Sequence, residues 1–359
     1  MKIEWRSRST QHRQKAKRTT SSSNPQIKQV APKDMSSLRR RSDVSALAQL
    51  ALDGSYLLDD GKDISFTERL KNCVGIYDEA VETLSTKQMW TLYVDAVLKL
   101  NEDMSSHQKL RRKTLGSVFK KAFESGSLEE DKYVQYLKLM INVDQPQESL
   151  VTAVLTKAIE SYPKSTKLWV LHLTFLAKQE APASEIEDIF KKALANCTED
   201  LLSLWTVRFQ YYHTRTDLPK ALEQTFKDAI VQPPTIASHF QPLYLEFLVV
   251  TRNIDAARKK YLEIQKNCAP CLELHRKMSQ LESIQAQPNV DHWRKCHENA
   301  SHFFGTDNID VWIDFLAFER DHGSPRNMQP VFERAKTRLD ADLVAGFVTE
   351  YELLKNPLI

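Results

Sequence analysis

Glycine is nearly missing from this chain: 8 of 359 residues, about 2% against an ordinary share near 7%. That scarcity removes the residue that makes tight strand turns and phosphate-cradling loops, and it points to helices joined by short polar connections. Long apolar runs are lacking too; none approaches the roughly 20 residues that a membrane-spanning helix needs. The N-terminus is basic and polar with no apolar stretch behind it, unlike a secretory signal. The five cysteines, Cys73, Cys197, Cys268, Cys271 and Cys296, are too sparse and odd in number for a disulfide framework, so a reducing compartment is expected. No H-E-x-x-H, G-x-S-x-G, P-loop or G-x-G-x-x-G occurs. Nothing nominates a nucleophile with a base, and neither a cofactor nor a small-molecule substrate is expected.

Charge is abundant but unevenly placed. Residues 1–42 hold twelve Lys/Arg against Glu4 and Asp34, or +10, which leaves −7 for the rest of a chain whose net charge is +3. That segment is rich in Ser, Gln and Thr and has no apolar periodicity, so it reads as a disordered basic tail. Its clusters, Arg13, Lys15, Lys17 and Arg18, then Arg39, Arg40 and Arg41, suit phosphate contact or nuclear import. Residues 43–63 read as a linker or short capping helix, with Val44, Leu47, Leu50 and Ala51 on one face. A second basic site, Lys109, Arg111, Arg112 and Lys113, lies inside the acidic body and is a further candidate contact for RNA or an acidic partner.

From residue 64 to 359 one pattern dominates. A bulky residue followed three positions later by a small or aliphatic one recurs as Tyr77/Ala80, Phe119/Ala122, Leu155/Ala158, Phe190/Ala193, Phe226/Ala229, Tyr261/Ile264, His297/Ala300 and Phe332/Ala335. The first members lie 42, 36, 35, 36, 35, 36 and 35 residues apart. A second marker follows each at an offset of 13 to 15: Trp90, Tyr133, Trp169, Trp205, Phe240, His275, Trp312 and Phe347. A period in the mid-thirties is the signature of stacked helix pairs, here named B for the first marker and A for the second. Alanine on B allows close helix approach, and the bulky partner fills the space between repeats. Pro163, Pro233 and Pro270 are expected to stop B helices. Pro182, Pro219 and Pro325 should open the next ones, with Asp217, Asn253 and Ser324 as N-caps. The expected fold is all-α, a right-handed α-α superhelix whose core is built from these markers. The first clear helix is a B helix, so the array is expected to begin mid-repeat.

Cys268-Ala-Pro-Cys271, with His275 and Cys296 nearby, could in principle hold zinc or cycle as a dithiol. Its place on a B-to-A turn argues for a structural role, so no metal is expected and the four residues remain the weaker alternative.

The segment VWIDFLAFERDHGSPRNMQPVFERAK, residues 311–336, resembles the half-a-TPR (HAT) repeat, with Trp312, Phe318, Glu319, Phe332, Glu333, Arg334 and Ala335 at motif positions. Other copies are looser: Tyr212 stands where the motif prefers Glu, and His275 replaces the helix A aromatic. Segments 73–100, 190–212 and 308–335 are similar to the C-terminal half of the sixth U-three small-nucleolar-RNA-associated (UTP) family, over about residues 65–355. That resemblance implies a nucleolar, non-catalytic scaffold of the small-subunit processome, acting in pre-rRNA processing and 40S assembly. Its implied partners are other UTP proteins, the pre-rRNA and the U-three particle, with no membrane. A HAT scaffold of splicing or 3′-end formation is the alternative within the class, and a zinc or thiol protein the alternative outside it.

Overall fold

The computed structural model describes residues 66–99, 108–142, 146–215 and 217–355, and among these it contains sixteen α-helices, one 3-10 turn and no strand. The basic tail and residues 43–63 lie outside the described residues. None of the described helices is long and apolar enough to cross a membrane.

Two compact units divide the chain, residues 1–102 and 103–359. In the first, α1 (Phe66–Thr83) packs on α2 (Lys87–Lys99). Tyr77 stacks on Tyr93 with ring centroids 5.0 Å apart, and the Tyr93 hydroxyl donates to Asp78 at 2.9 Å.

The second unit runs α3 (Gln108–Glu124), α4 (Glu130–Ile141), α5 (Glu148–Ser161), α6 (Thr166–Lys178), α7 (Ala183–Asn196), α8 (Leu201–Thr214) and α9 (Pro219–Ala229). It continues with α10 (Pro234–Thr251), α11 (Ile254–Asn267), α12 (Leu272–Ser283), α13 (Val290–Phe304), α14 (Ile309–Asp321), α15 (Met328–Arg338) and α16 (Val344–Lys355). Odd-numbered helices carry the B markers and even-numbered ones the A markers, so each B and A marker pair in the sequence is one helix pair. Each B helix from α1 to α13 packs on the A helix that follows it, and α15 meets α16 through Phe332 on Phe347 and Tyr351. A helices also pack on A helices of adjacent repeats, whereas B helices do not pack closely on one another, which sets the A row inside and the B row outside.

Burial follows the markers. Tyr77, Ala80, Trp90, Phe119, Ala122, Tyr133, Leu155, Ala158, Trp169, Phe190, Ala193, Trp205, Phe226, Ala229, Phe240, Tyr261, His275, Trp312, Ala335 and Phe347 are all buried. Phe332 and His297 are only half-buried; Phe332 stacks on Tyr351 at 4.2 Å and Phe347 at 5.4 Å of α16, the last described helix.

Local chemistry explains the helix ends. Asn253 caps α11, as its side-chain oxygen accepts from Ala256 N at 2.9 Å; Asn289 and Asn308 do the same for α13 and α14. Two expected caps fail. Asp217 instead forms a paired contact with Arg215 (2.9 and 3.0 Å), and α9 starts at Pro219 without a side-chain cap. Ser324 opens only the 3-10 turn Pro325–Asn327, and its backbone N–H is taken by Glu319. Pro233 is itself the N-cap position of α10, so it opens an A helix rather than merely closing a B helix.

A second periodic device links repeats. Lys178 Nζ reaches Ile141 O at 3.3 Å, Arg338 Nη2 reaches His302 O at 3.0 Å, and Arg320 Nη1 reaches Leu354 O at 2.7 Å. In each case a cation meets the unpaired carbonyls at the C-terminal end of the neighbouring repeat's helix, where the helix dipole is negative.

Candidate partner-binding groove

The row of A-on-A packing runs from α4 through α6, α8 and α10 to α12, resumes between α14 and α16, and is interrupted between α12 and α14. The apolar core divides at the same place. One cluster extends from Trp169 to Cys296, and another begins at Trp293 and ends at Tyr351. Both clusters meet on α13. Into this seam opens a groove of about 370 Å3, lined among others by His275, Ser279, Trp293, His297, Asp314 and Phe318.

The seam has a cause in sequence. The A marker of α12 is His275, where Trp169, Trp205 and Trp312 stand elsewhere, and the B marker of α13 is His297. A buried imidazole needs polar partners that an indole or phenyl ring does not. His275 is 1% exposed, its Nδ1 lies 2.7 Å from the Tyr261 hydroxyl, and Asn299 Nδ2 donates to that hydroxyl at 3.1 Å. The exposed ring of Phe303 lies flat over it at 6.0 Å. His275 Nε2 has no hydrogen-bond partner among the described residues. His297 bonds Ser279 through Nε2 at 3.1 Å, and Ser279 in turn accepts from Trp293 Nε1 at 2.6 Å.

Burial pushes both histidines down to about 4, from an ordinary 6.5. Each is therefore neutral in the folded chain well below the pH at which it would protonate when unfolded. As pH falls from 6.5 towards 4, the unfolded chain takes up protons that the folded chain refuses, so stability drops across that window. The expected result is a Tm lower at pH 5 than at pH 7. A scan of His297→Asn should show a shallower acid slope, and an unchanged slope would remove His297 from the account.

Asp314, on α14, sits at the groove's edge with its carboxyl raised by burial and by Asp310, against the opposing pull of Arg276. Arg276 Nε is 3.7 Å away, beyond hydrogen-bond range for a good contact. Asp321 also faces the groove but is held by Arg320 at 2.6 and 2.8 Å.

The cysteines near the seam serve the helices. Cys271 is the N-cap residue of α12, its Sγ accepting from Leu274 N at 3.3 Å and contacting Ser238 O at 3.5 Å. Cys268 ends α11. Cys296 is buried on α13, its thiol pushed up to about 12 chiefly by desolvation, the opposite of an activated thiolate. With His275 bonded to Tyr261, the four weaker candidates each have a structural duty. Among the described residues no group of three or more His, Cys, Asp or Glu is placed to hold a metal ion.

Of the basic candidates on α3, the side chain of Arg111 lies outside the described residues. Lys109 and Lys113 of α3 are exposed. Arg112, a candidate contact in the sequence, is engaged instead, its Nη2 donating to Asn142 O at 3.2 Å. Arg13, Lys15, Lys17, Arg18, Arg39, Arg40 and Arg41 lie outside the described residues. Sequence reasoning missed Ser279, Trp293 and Asp314, although Trp293 is legible as an extra aromatic four residues before the His297 marker.

An all-α array of stacked helix pairs, with a polar seam in its inner row, defines a repeat protein of the kind that presents surface to partners. The family model for U3 small nucleolar RNA-associated protein 6 C-terminal matches residues 71–339, and the chain belongs to that family. Among curated proteins, the U3 small nucleolar RNA-associated protein 6 homologs of Mus musculus and Homo sapiens are 27% and 26% identical over 299 residues, or 81% of this chain and 49% of each relative. The chain thus spans about half the length of the curated relatives it matches. Yeast Tom70 is a looser structural match, with a TM-score of 0.36 at 12% identity over 87% of this chain and 64% of that one.

Proposed function

We propose that the chain is a non-catalytic scaffold of the small-subunit processome, acting in pre-rRNA processing and 18S rRNA maturation in the nucleolus. Family membership across residues 71–339 is the observation that carries this reading. The relatives are named for association with the U3 small nucleolar RNA, and this chain takes the same assignment through shared sequence. Its physical form supports a scaffold. Each helix pair buries one stripe against its neighbours and turns the other outward, so a long surface is held rigidly at fixed spacing. The histidines that might have served as bases are tied to Tyr261 and Ser279 and held neutral, and the cysteine Cys296 is an unreactive thiol.

Partners in this reading are other UTP proteins, with the pre-rRNA and the U3 particle reached directly or through them. The tail, at +10 over residues 1–42, and the exposed Lys109 and Lys113 supply sequence-independent phosphate contact and nuclear import. Affinity purification of the tagged chain, with sequencing of bound RNA and identification of bound proteins, tests the assignment. Pre-rRNA and U3-particle components are the expected recovery; a yield dominated by splicing or polyadenylation factors would sink it. Deleting residues 1–42 should reduce both nuclear entry and salt-sensitive RNA retention, and no change in either would remove the tail from the mechanism.

A further inference from the structure

Only one of the fourteen prolines follows a serine or threonine: Pro325, after Ser324. The dipeptide lies in the connection between α14 and α15, where Pro325 and Arg326 are exposed and Ser324 is half-exposed. Ser324 is extended, at φ −125° and ψ 118°, because the ring of a following proline disfavours the helical alternative. It stands at a cap position, yet its side chain caps nothing. Ser165, Asn253, Asn289 and Asn308 each accept a backbone N–H through the side chain at the same kind of position. The Ser324 hydroxyl is thus a nucleophile without a capping duty, on an extended stretch open to solvent.

Its surroundings do have a duty. Ser324 N donates to Glu319 Oε2 at 2.8 Å, and Asn327 Nδ2 donates to the same oxygen at 3.1 Å. The other carboxylate oxygen receives Arg294 Nε at 2.6 Å. Glu319 is 0% exposed, so its pair with Arg294 is shielded from water and salt on that side. The amide and the hydroxyl of Ser324 belong to one residue. A phosphate on Oγ therefore comes to rest beside a carboxylate already bound to that amide, and it brings about two negative charges. Helix N-termini favour anions, and α15 begins at Met328. That attraction acts at an exposed, screened end, whereas the repulsion acts on a buried carboxylate held in place by three donors, so the repulsion dominates. Arg326, two residues on, is exposed and gives the dianion one flexible partner.

We propose that Ser324 is a phosphorylation site read by a proline-directed serine/threonine kinase, and that its phosphate loosens the α14–α15 junction by weakening the Glu319–Arg294 pair. In the transfer, Ser324 Oγ attacks the γ-phosphorus of a nucleoside triphosphate held by the kinase. The new O–P bond forms as the bond from that phosphorus to the β,γ-bridging oxygen breaks, the nucleoside diphosphate leaves, and the hydroxyl proton passes to the kinase's base. The site goes beyond the scaffold reading and does not depend on it, since it needs only this turn.

The purified full chain is incubated with ATP and a mitogen-activated protein kinase, and separately with a cyclin-dependent one, and phosphopeptides are mapped by mass spectrometry. One phosphate on Ser324 is the expected result, lost in Ser324→Ala and in Pro325→Ala. Ser324→Asp is no substitute for the phosphate, because its carboxylate would supply the missing helix cap. The phosphorylated chain itself is therefore melted. Its Tm should fall by about 2–4 °C, the shift that one such charge contact makes in a domain of roughly this size. The fall should be smaller in Glu319→Gln, where the like charge is gone. Failure of both kinases to modify Ser324, a Tm that holds or rises on phosphorylation, or an equal fall in Glu319→Gln would each overturn the proposal.

Discussion

Trp312→Ala is expected to lower unfolding free energy by about 3–5 kcal/mol, the range for removing a large aromatic from a core. Trp312 is 0% exposed, and its Nε1 donates to Gly305 O at 2.7 Å. Gly305 is itself fitted to the indole: a Cβ there would lie 2.8 Å from two of its ring carbons and closer still to the Ser301 carbonyl oxygen. The packing is therefore closed on both sides, and little relaxation can refill the void. Trp205 makes an informative contrast. It is 3% exposed, edge-on to Phe190 at 5.1 Å and beneath the Arg208 guanidinium at 5.3 Å, yet its Nε1 has no hydrogen-bond partner among the described residues. The equivalent indoles of Trp90 and Trp169 donate to Ser85 and Pro163 on the turn before their helix, as Trp312 does to Gly305. Truncation to alanine should thus be severe at both positions, but Trp→Phe should separate them. Trp312→Phe strands a buried carbonyl and should cost about 1 kcal/mol more than Trp205→Phe, which strands nothing. Urea unfolding followed by circular dichroism decides both points; near-wild-type midpoints for the alanine variants would refute the assigned burial.

The spacing of bulky residues and alanines was enough to place every described helix pair, because each repeat must bury the same stripe in the same way. The caps were less legible. Asp217 and Ser324 have the right chemistry just before a proline, but the Asp217 carboxylate is taken by Arg215, and Ser324 opens a 3-10 turn in which its side chain makes no cap while its backbone N–H goes to Glu319. The groove was only half legible. His275 and His297 stand out as imidazoles in an aromatic column, which marks the repeat as unusual. What the marks do not disclose is that α12 and α14 fail to close on each other, since that depends on how Tyr261 and Asn299 draw His275 into the α11–α13 side of the core. Asp314 carries no periodic signal, because an exposed carboxylate on an A helix is ordinary until the neighbouring helix is found across a groove from it, with Arg276 of α12 3.7 Å away.

A buried charge register underlies the looser copies of the repeat, and it yields the second large prediction. Seven residues after the A marker, Glu282 and Glu319 are both 0% exposed, and three residues before the B marker, Arg258 and Arg294 reach them at 2.7 and 2.6 Å. In the α7–α8 pair the polarity is inverted: the B helix supplies Glu187, and Tyr212 stands at the A position and donates to it at 2.8 Å. Arg208 then completes the set, bonding Glu187 at 2.7 Å and Asp228 at 3.2 Å. Tyr212 is therefore a change of donor and acceptor roles at a position that still needs a bond between the two helices. Glu319 carries the most of these duties. It accepts from Arg294, from Ser324 N at 2.8 Å and from Asn327 Nδ2 at 3.1 Å, and a Cβ on Gly323 would press against its carboxylate. Glu319→Ala leaves a guanidinium only 23% exposed with the exposed Asp291 at 3.0 Å as its remaining carboxylate, and strands the turn that leads into α15, so a loss of roughly 3 kcal/mol is expected. Glu319→Gln keeps acceptors for Ser324 and should lose less. Although burial alone would raise it, bonds from Arg294, Ser324 and Asn327 hold the carboxyl below its ordinary range. A depressed carboxyl stabilises the fold above its unfolded pKa of about 4.3, and that contribution is lost as pH falls through the lower folded value. Glu319→Gln should accordingly flatten the most acidic limb of the stability profile, below the window in which the histidines act. A variant that melts like the parent from pH 7 down to pH 3 would show that the register is decorative rather than structural.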